Sequence, residues 1–436
     1  MTRFRLLAPL LPLLCAAPGM AQEVAHAYVG ARIIPIEGSV IEKGTLVTLW
    51  GKIAAVGPAG SVEIPTKAIK IDAAGKVIMP GLICTHSHVG GIGGADSSGP
   101  IQPDVRILDS INVHNPGFRR AVAGGLTTIN IMPGSGHLNS GQTIYVKLRK
   151  ARTIEEMFIY GDDGRPMGGL KMANGTNSMR KKPFPGTRGK SAALVRQKLI
   201  KAQEYQKKIA KAAGDPEKMP DRDIGLDALV EVLEGKRIVH FHTHRHDDIM
   251  TILRLKKEFG FRVVLHHISE GWKVADEIAA AGVPCSVIVI DSPGGKLEAR
   301  ELHLDTGGIL ERAGILTAFH TDDWITDSRL FFRSGALAVR AGMTREGALK
   351  ALTHAGAQML DLGDRIGSLK PGKDADFIIL DGDPLSVYTK VLQTYVDGFK
   401  VFDRSDPEDR LHAVGGYGAG DDEEPYMCCY DHAEDQ

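Results

Sequence analysis

A chain of 436 residues with 43% hydrophobic side chains is too long for a single small module and can bury a sizeable core. Its 53 basic residues are matched by 53 acidic ones, so it lacks the positive field that nucleic acid or an anionic membrane surface requires. Small molecules or short peptides suit such a surface better as partners, and assembly into a homo-oligomer stays open.

The chain starts with basic Met1 to Arg5, an apolar run from Leu6 to Ala17, and small residues before Gln22. This pattern predicts a signal peptide over 1–21, cleaved after Ala21, and a periplasmic or secreted protein. The run is too short and too proline-rich to span a bilayer. Cys15 follows Pro12-Leu13-Leu14, which lacks the small residue a lipoprotein peptidase wants, so no membrane anchor is expected after processing. Cys84, Cys285, Cys428 and Cys429 are too few for a disulfide framework.

From Val24 to Met79, short β-like runs alternate with glycine and charged turns. The same texture returns at Ala375 to Leu380 and Val391 to Phe402. Residues 22–79 and 363–412 are therefore expected to build one composite β-sandwich domain, followed by an acidic tail over 413–436. Between them, residues 80–362 alternate apolar runs with amphipathic helices, the pattern of parallel strands joined by helical crossovers. Strands are predicted at Leu82–His88, Thr127–Met132, Thr143–Leu148, Gly169–Ala173, Arg237–His242, Arg262–His267, Pro284–Ile290 and Ile315–His320. Eight such runs predict an α/β fold of the (β/α)8 TIM-like barrel type. Helices are predicted at Ala192–Ala213 and Asp247–Phe259, and the Gly, Pro and Arg-rich stretch Gly161–Gly189 reads as a substrate loop.

Histidines punctuate the ends of these runs. In Pro80-Gly81-Leu82-Ile83-Cys84-Thr85-His86-Ser87-His88, alternate strand residues share a face, so His86 and His88 can offer two imidazoles to one ion. In His240-Phe241-His242-Thr243-His244, His242 is the expected ligand; His240 is expected to lie deeper and His244 to face substrate. In His266-His267 only one ring of an alternating strand can look inward; His267 is chosen and His266 is expected to pack outward. Asp322, in His320-Thr321-Asp322-Asp323, suits a metal ligand that also serves as catalytic base, unless it merely caps a helix. His137 in Gly134-Ser135-Gly136-His137 is either a substrate contact or a satisfied loop histidine. Arg165 and Arg188 are candidates for holding a substrate carboxylate, or are simply solvated.

Together, Pro80-Gly81 leading into His86-x-His88, a histidine on each of two later strands, Thr321-Asp322, and the closing segment Gly367-Ser-Leu-Lys-Pro-Gly-Lys-Asp-Ala-Asp-Phe resemble the amidohydrolase superfamily, in its imidazolonepropionase and peptidase-like branch. The resemblance implies a hydrolase of amide-type C–N bonds in a dipeptide, N-acyl compound or cyclic amide, holding one or two divalent ions. Zinc is preferred because imidazole suits it. It also implies a fourth-strand lysine carboxylated to bridge two ions; Lys171 is the candidate, and an ordinary lysine in a basic loop is the bland alternative. The family often carries Asp two residues before the first histidine, where this chain has Cys84. Two other readings stay open: a one-metal deaminase using Glu270 of His267-Ile-Ser-Glu270, a residue that otherwise positions substrate or caps a helix, and a barrel that binds a metal or solute without catalysis.

Overall fold

The computed structural model describes residues 24–92, 96, 98–289, 296–323, 325–416 and 419. The expected leader, Cys428 and Cys429 fall outside the described residues. Both ends of the chain contribute to one eight-stranded sheet: His26–Ile33, Ile41–Leu49, Lys52–Pro58, Ile69–Asp72 and Val77–Pro80 join Phe377–Leu380, Val391–Val396 and Phe399–Asp403. The junction is antiparallel, with Pro80 opposite Phe377 and Val77 opposite Leu380. Its core stacks Phe377 on Tyr395 at 4.4 Å and sets Tyr28 edge-on to Phe377 at 5.0 Å, favoured aromatic geometries.

Between the two ends, Leu82–Ser87 pairs in parallel with Leu126–Ile131. A second run of parallel partners follows chain order through Leu170–Ala173, Val239–Thr243, Val263–His267, Cys285–Val287 and Thr317–Phe319. Helices pack between these strands. Arg188–Ala212 starts where Thr187 caps the Lys190 N–H and buries Val195, Leu199 and Ala202, the three-to-four spacing that gives a helix one apolar face. His246–Phe259 buries Ile249, Ile252 and Leu253 and ends at Gly260, whose φ of 78° supplies the left-handed stop.

The third predicted strand departs from a uniformly parallel arrangement. Asn139–Gln142 and Ile144–Lys147 run antiparallel to Leu170–Ala173 and Leu126–Ile131 respectively. The reason is chain length: residues 132–138 leave too little for a crossover, which takes a dozen or more residues, so the chain folds straight back. Gly141 makes the return feasible, because at its φ of 119° a Cβ would meet the Val105 carbonyl oxygen at 2.5 Å.

The two layers are joined by a buried ion cluster. Lys147, at the end of the returning strand, is 1% exposed and reaches Asp374 Oδ2 at 2.6 Å, Asp376 Oδ2 at 3.1 Å and Asp397 from the large sheet. At the opposite end of the central strands, the Asp322 N–H donates to the His86 carbonyl at 3.1 Å. This bond draws the tips of the first and last central strands together. Among the described residues no helix is long and apolar enough to cross a membrane.

Candidate metal centre

The carboxyl ends of the central strands deliver a packed group of imidazoles. His86, His240, His242, His244, His266, His267 and His320 are all buried. Burial, and after it the neighbouring imidazoles and lysines, holds His86, His242, His244, His266 and His267 far below the usual imidazole range. His240 and His320 fall to about 3 through burial. These rings are therefore neutral at physiological pH and keep a nitrogen lone pair for a Lewis acid.

His86 Nε2 lies 3.2 Å from His88 Nε2 and 3.2 Å from Asp322 Oδ1, which is itself 3.1 Å from His88 Nε2. Donor atoms about 2.0–2.1 Å from one tetrahedral zinc stand roughly 3.3–3.4 Å apart; the observed triangle fits such an ion. Two further details match a ligand role. His88 Nδ1 is fixed at 2.8 Å by the Met132 carbonyl, which leaves the Nε2 lone pair to face the triangle. Asp322 Oδ1 is buried without a hydrogen bond. Burial alone would raise the Asp322 carboxyl, but contact with His88, then His320 and Lys171, holds it at about 2.

On the other side, Asp322 Oδ2 lies 3.7 Å from His267 Nδ1, and the His267 and His242 rings are 4.3 Å apart. His242 Nδ1 and His267 Nε2 are buried with no hydrogen-bond partner, a state that costs free energy unless something else engages them. Donor atoms of His86, His267 and His320 stand within 4.8 Å of one another, as do, separately, those of His242, His244 and Glu298, and either set could hold a further cation. Lys171 Nζ sits 3.2 Å from His86 Nε2 and from Met132 Sδ, fully buried at the inner end of its strand. A carboxylated Lys171 would place anionic oxygens beside both groups. The structure thus gathers His86, His88, Asp322, Lys171, His267 and His242 around one spot.

His266 is the clear correction. It was expected to pack outward, yet its Nε2 meets His240 Nδ1 at 3.0 Å and its ring lies 5.1 Å from His86. The alternation rule breaks because His267 and Ile268 take φ of 68° and 45°. That left-handed turn at the strand tip brings both rings inward, and non-glycine residues in this region concentrate at functional sites. Asp322, with φ of 48°, is in the same state. His240 occupies the deeper layer, bonded to Tyr145 Oη at 2.9 Å.

His320 was not singled out from the sequence and proves central: its Nε2 meets His267 Nδ1 at 3.0 Å, and its Nδ1 meets Ser286 Oγ at 2.7 Å. Its signal was its place two residues before Asp322. Asp323, next to Asp322, accepts from Ser87 Oγ at 2.5 Å and Thr321 Oγ1 at 2.8 Å. Cys84 Sγ instead contacts the His86 carbonyl at 3.0 Å. His244 flanks the cluster, its ring 4.8 Å from His242. His137 is buried against Phe184 at 5.1 Å. Glu270 is turned elsewhere, accepting from the His246 backbone at 3.1 Å and meeting the His246 ring at 2.6 Å. Arg165 pairs with Asp163 and Glu231, and Arg188 with Asp248 and Glu298.

The chain is similar to known proteins over most of its length. The Amidohydrolase family profile matches residues 77–401. Amidohydrolase tasK of Hapsidospora irregularis is 26% identical over 88% of this chain, which spans 42% of that protein's length. Imidazolonepropionase of Rhizobium rhizogenes is 23% identical over 82% of this chain and 92% of its own. The crystal structure of an amidohydrolase from Thermotoga maritima MSB8 superposes with a TM-score of 0.81 at 33% identity, covering 87% of this chain and 100% of that one. The chain belongs to the amidohydrolase family and is a hydrolase of carbon–nitrogen bonds.

Proposed function

We propose that this protein hydrolyses an amide-type C–N bond in a dipeptide, N-acyl compound or cyclic amide, with Asp322 as the base. The observation that carries the reading is the position of one carboxylate between two imidazole groups: Asp322 Oδ1 faces His86 and His88, and Oδ2 faces His267. His86, His88 and Asp322 would hold one divalent ion, and His242 and His267, with a carboxylated Lys171, a second. A divalent ion bound there, zinc by its imidazole ligands, supplies Lewis acidity toward water and the scissile carbonyl. Asp322 accepts the proton of the attacking water and returns it to the leaving amine. In this reading the central strands form a distorted (β/α)8 barrel whose third strand is reversed, the large sheet is the β-sandwich companion, and the chain is exported.

The deaminase alternative loses support because Glu270 engages His246 and Lys273 instead of the imidazole cluster. The test is Asp322→Asn in metal-loaded protein, with metal content measured alongside turnover of N-acyl amino acids, dipeptides and lactams. A fall in kcat of about 10²–10⁴-fold with metal retained is expected. Unchanged kcat removes Asp322 as the base, and absence of turnover by the wild type across the whole panel favours a binding protein.

A further inference from the structure

The strand Val239–Thr243 carries His242 at its tip and is followed at once by His244. Glu298 reaches the same place from the segment after the Cys285–Val287 strand. One donor atom from each of these three side chains lies within 4.8 Å of the other two, and all three are buried. Each also keeps one buried polar atom without a hydrogen-bond partner: His242 Nδ1, His244 Nε2 and Glu298 Oε1. A buried polar atom left in that state costs free energy unless a ligand engages it. Three of them on neighbouring side chains, two imidazoles and a carboxylate, call for a cation.

The remaining atoms of the group are tied down. His244 Nδ1 meets Ser269 Oγ at 2.7 Å, and Glu298 Oε2 takes the Thr176 N–H at 2.9 Å and Arg188 Nη2 at 3.2 Å. Arg188 is itself matched by Asp248 at 2.8 Å, so Glu298 keeps negative charge to offer. Both imidazoles are held neutral by burial, and a neutral imidazole presents one lone pair. Two imidazoles and one carboxylate are a donor set that zinc accepts. Two features limit the affinity. Lys296 Nζ, bonded to Asn177 Oδ1 at 2.8 Å, lies 3.4 Å from His242 Nε2 and repels a cation nearby. The 4.8 Å span also exceeds the roughly 3.3–3.4 Å between donors on one tetrahedral zinc, so the side chains must close in by about an ångström.

We propose that His242, His244 and Glu298 form an outer seat for a divalent cation, separate from the positions used in hydrolysis. The inference rests on the metal-hydrolase reading through His242, which that reading gives to the ion shared with His267 and a carboxylated Lys171. Because the neutral ring has a single lone pair, His242 serves one ion at a time, and the two seats exclude each other. The outer seat fills when Lys171 is an unmodified amine and empties when the carboxylated lysine completes the inner one. With Lys296 beside it, the outer seat is the weaker of the two. His244 and Glu298 thus keep the second ion close to its working position in protein whose Lys171 is not yet carboxylated.

Zinc binding reads the seat without turnover. Metal-stripped, full-length wild type, Glu298→Gln and Lys296→Met are titrated with zinc chloride by calorimetry, first in CO2-free buffer and then with bicarbonate. Melting temperature certifies that each variant is folded. Without CO2 the wild type should take two ions, the second more weakly than the first. Glu298→Gln should weaken that second ion by about 10- to 100-fold, and Lys296→Met should tighten it by at least about threefold. With bicarbonate the second ion should bind more tightly and no longer depend on Glu298. A single ion in CO2-free wild type, or a second ion whose affinity is the same in either variant, overturns the proposal. A second ion that needs bicarbonate in all three proteins overturns the outer seat and leaves the hydrolase reading standing. One that depends on Glu298 with and without bicarbonate keeps the seat and defeats the carboxylated Lys171 of that reading, so the two failures are distinct.

Discussion

Replacing Lys147 with Met tests what couples the two-ended sheet to the central strands. The ammonium is 1% exposed and faces Asp374, Asp376 and Asp397 at hydrogen-bond distance. Each pair at about 3 Å is worth roughly 5 kcal/mol gross at an effective dielectric of about 20; most of this offsets desolvation of the buried charges. The loss on removing Lys147 is limited by its neighbours. Asp374 keeps Lys52 at 2.5 Å and Asp397 keeps Arg149 at 2.7 Å, whereas among the described residues Asp376 keeps no other ion pair. Burial, with Asp397 and Asp374 beside it, pushes Asp376 up to about 6 despite the ammonium. Without Lys147 this carboxyl simply takes a proton. Breaking a buried pair costs about 3–5 kcal/mol, and these escapes place Lys147→Met near the lower end, about 3 kcal/mol at pH 7. Because protonation relieves the stranded carboxylates, the deficit should shrink toward pH 5. Urea unfolding followed by far-UV circular dichroism at both pH values measures it. A deficit under about 1 kcal/mol, or one that grows on acidification, refutes the account.

The same cluster gives a signed pH effect. Asp376 is raised in the fold, so its folded form holds a proton that the unfolded form has lost, and stability through this group declines as pH rises from about 4 to about 6. Asp376→Asn should therefore gain stability relative to the wild type across that window; a parallel pair of pH profiles would count against it. At the centre, Lys171→Met should lower the metal content of fully loaded protein and cut turnover at least tenfold, a coarse figure for losing a bridging ligand shell. Isotopically labelled bicarbonate should give a carbamate resonance in the wild type and none in this variant, and its absence from active wild type rules carboxylation out. Glu270→Gln, which keeps an acceptor for the His246 N–H, should retain activity within about threefold, since a deaminase acid would lose the 10²–10⁴ that proton transfer contributes. Steady-state rates decide between the two.

Much of this layout is written in local sequence. His86 and His88 reach one site as alternation predicts, with Leu82–Ser87 buried throughout although its pairing slips between Cys84 and Ser87, and its approach to the next strand is marked by Gly81, where a Cβ would lie 2.2 Å from Thr127. The pairing of Val77–Pro80 with Phe377–Leu380 follows from the shared β texture of segments almost three hundred residues apart. What escaped has specific causes. The reversal of Asn139–Lys147 depends on the length of the preceding connection, which a search for apolar runs does not weigh. His266 was misplaced because alternation assumes extended backbone, and the left-handed His267 ends that assumption at the residue where it mattered. His320 passed unnoticed because an acid two residues later drew the ligand assignment, although its bond to His267 holds that ring in place. Lys296 carried no signal at all: its place beside Asn177 and His242, more than fifty positions upstream, is set by the fold alone. Strand-borne ligands are legible because the pleat fixes where they point, whereas a loop cation acquires its role only from what the fold leaves unpaired around it.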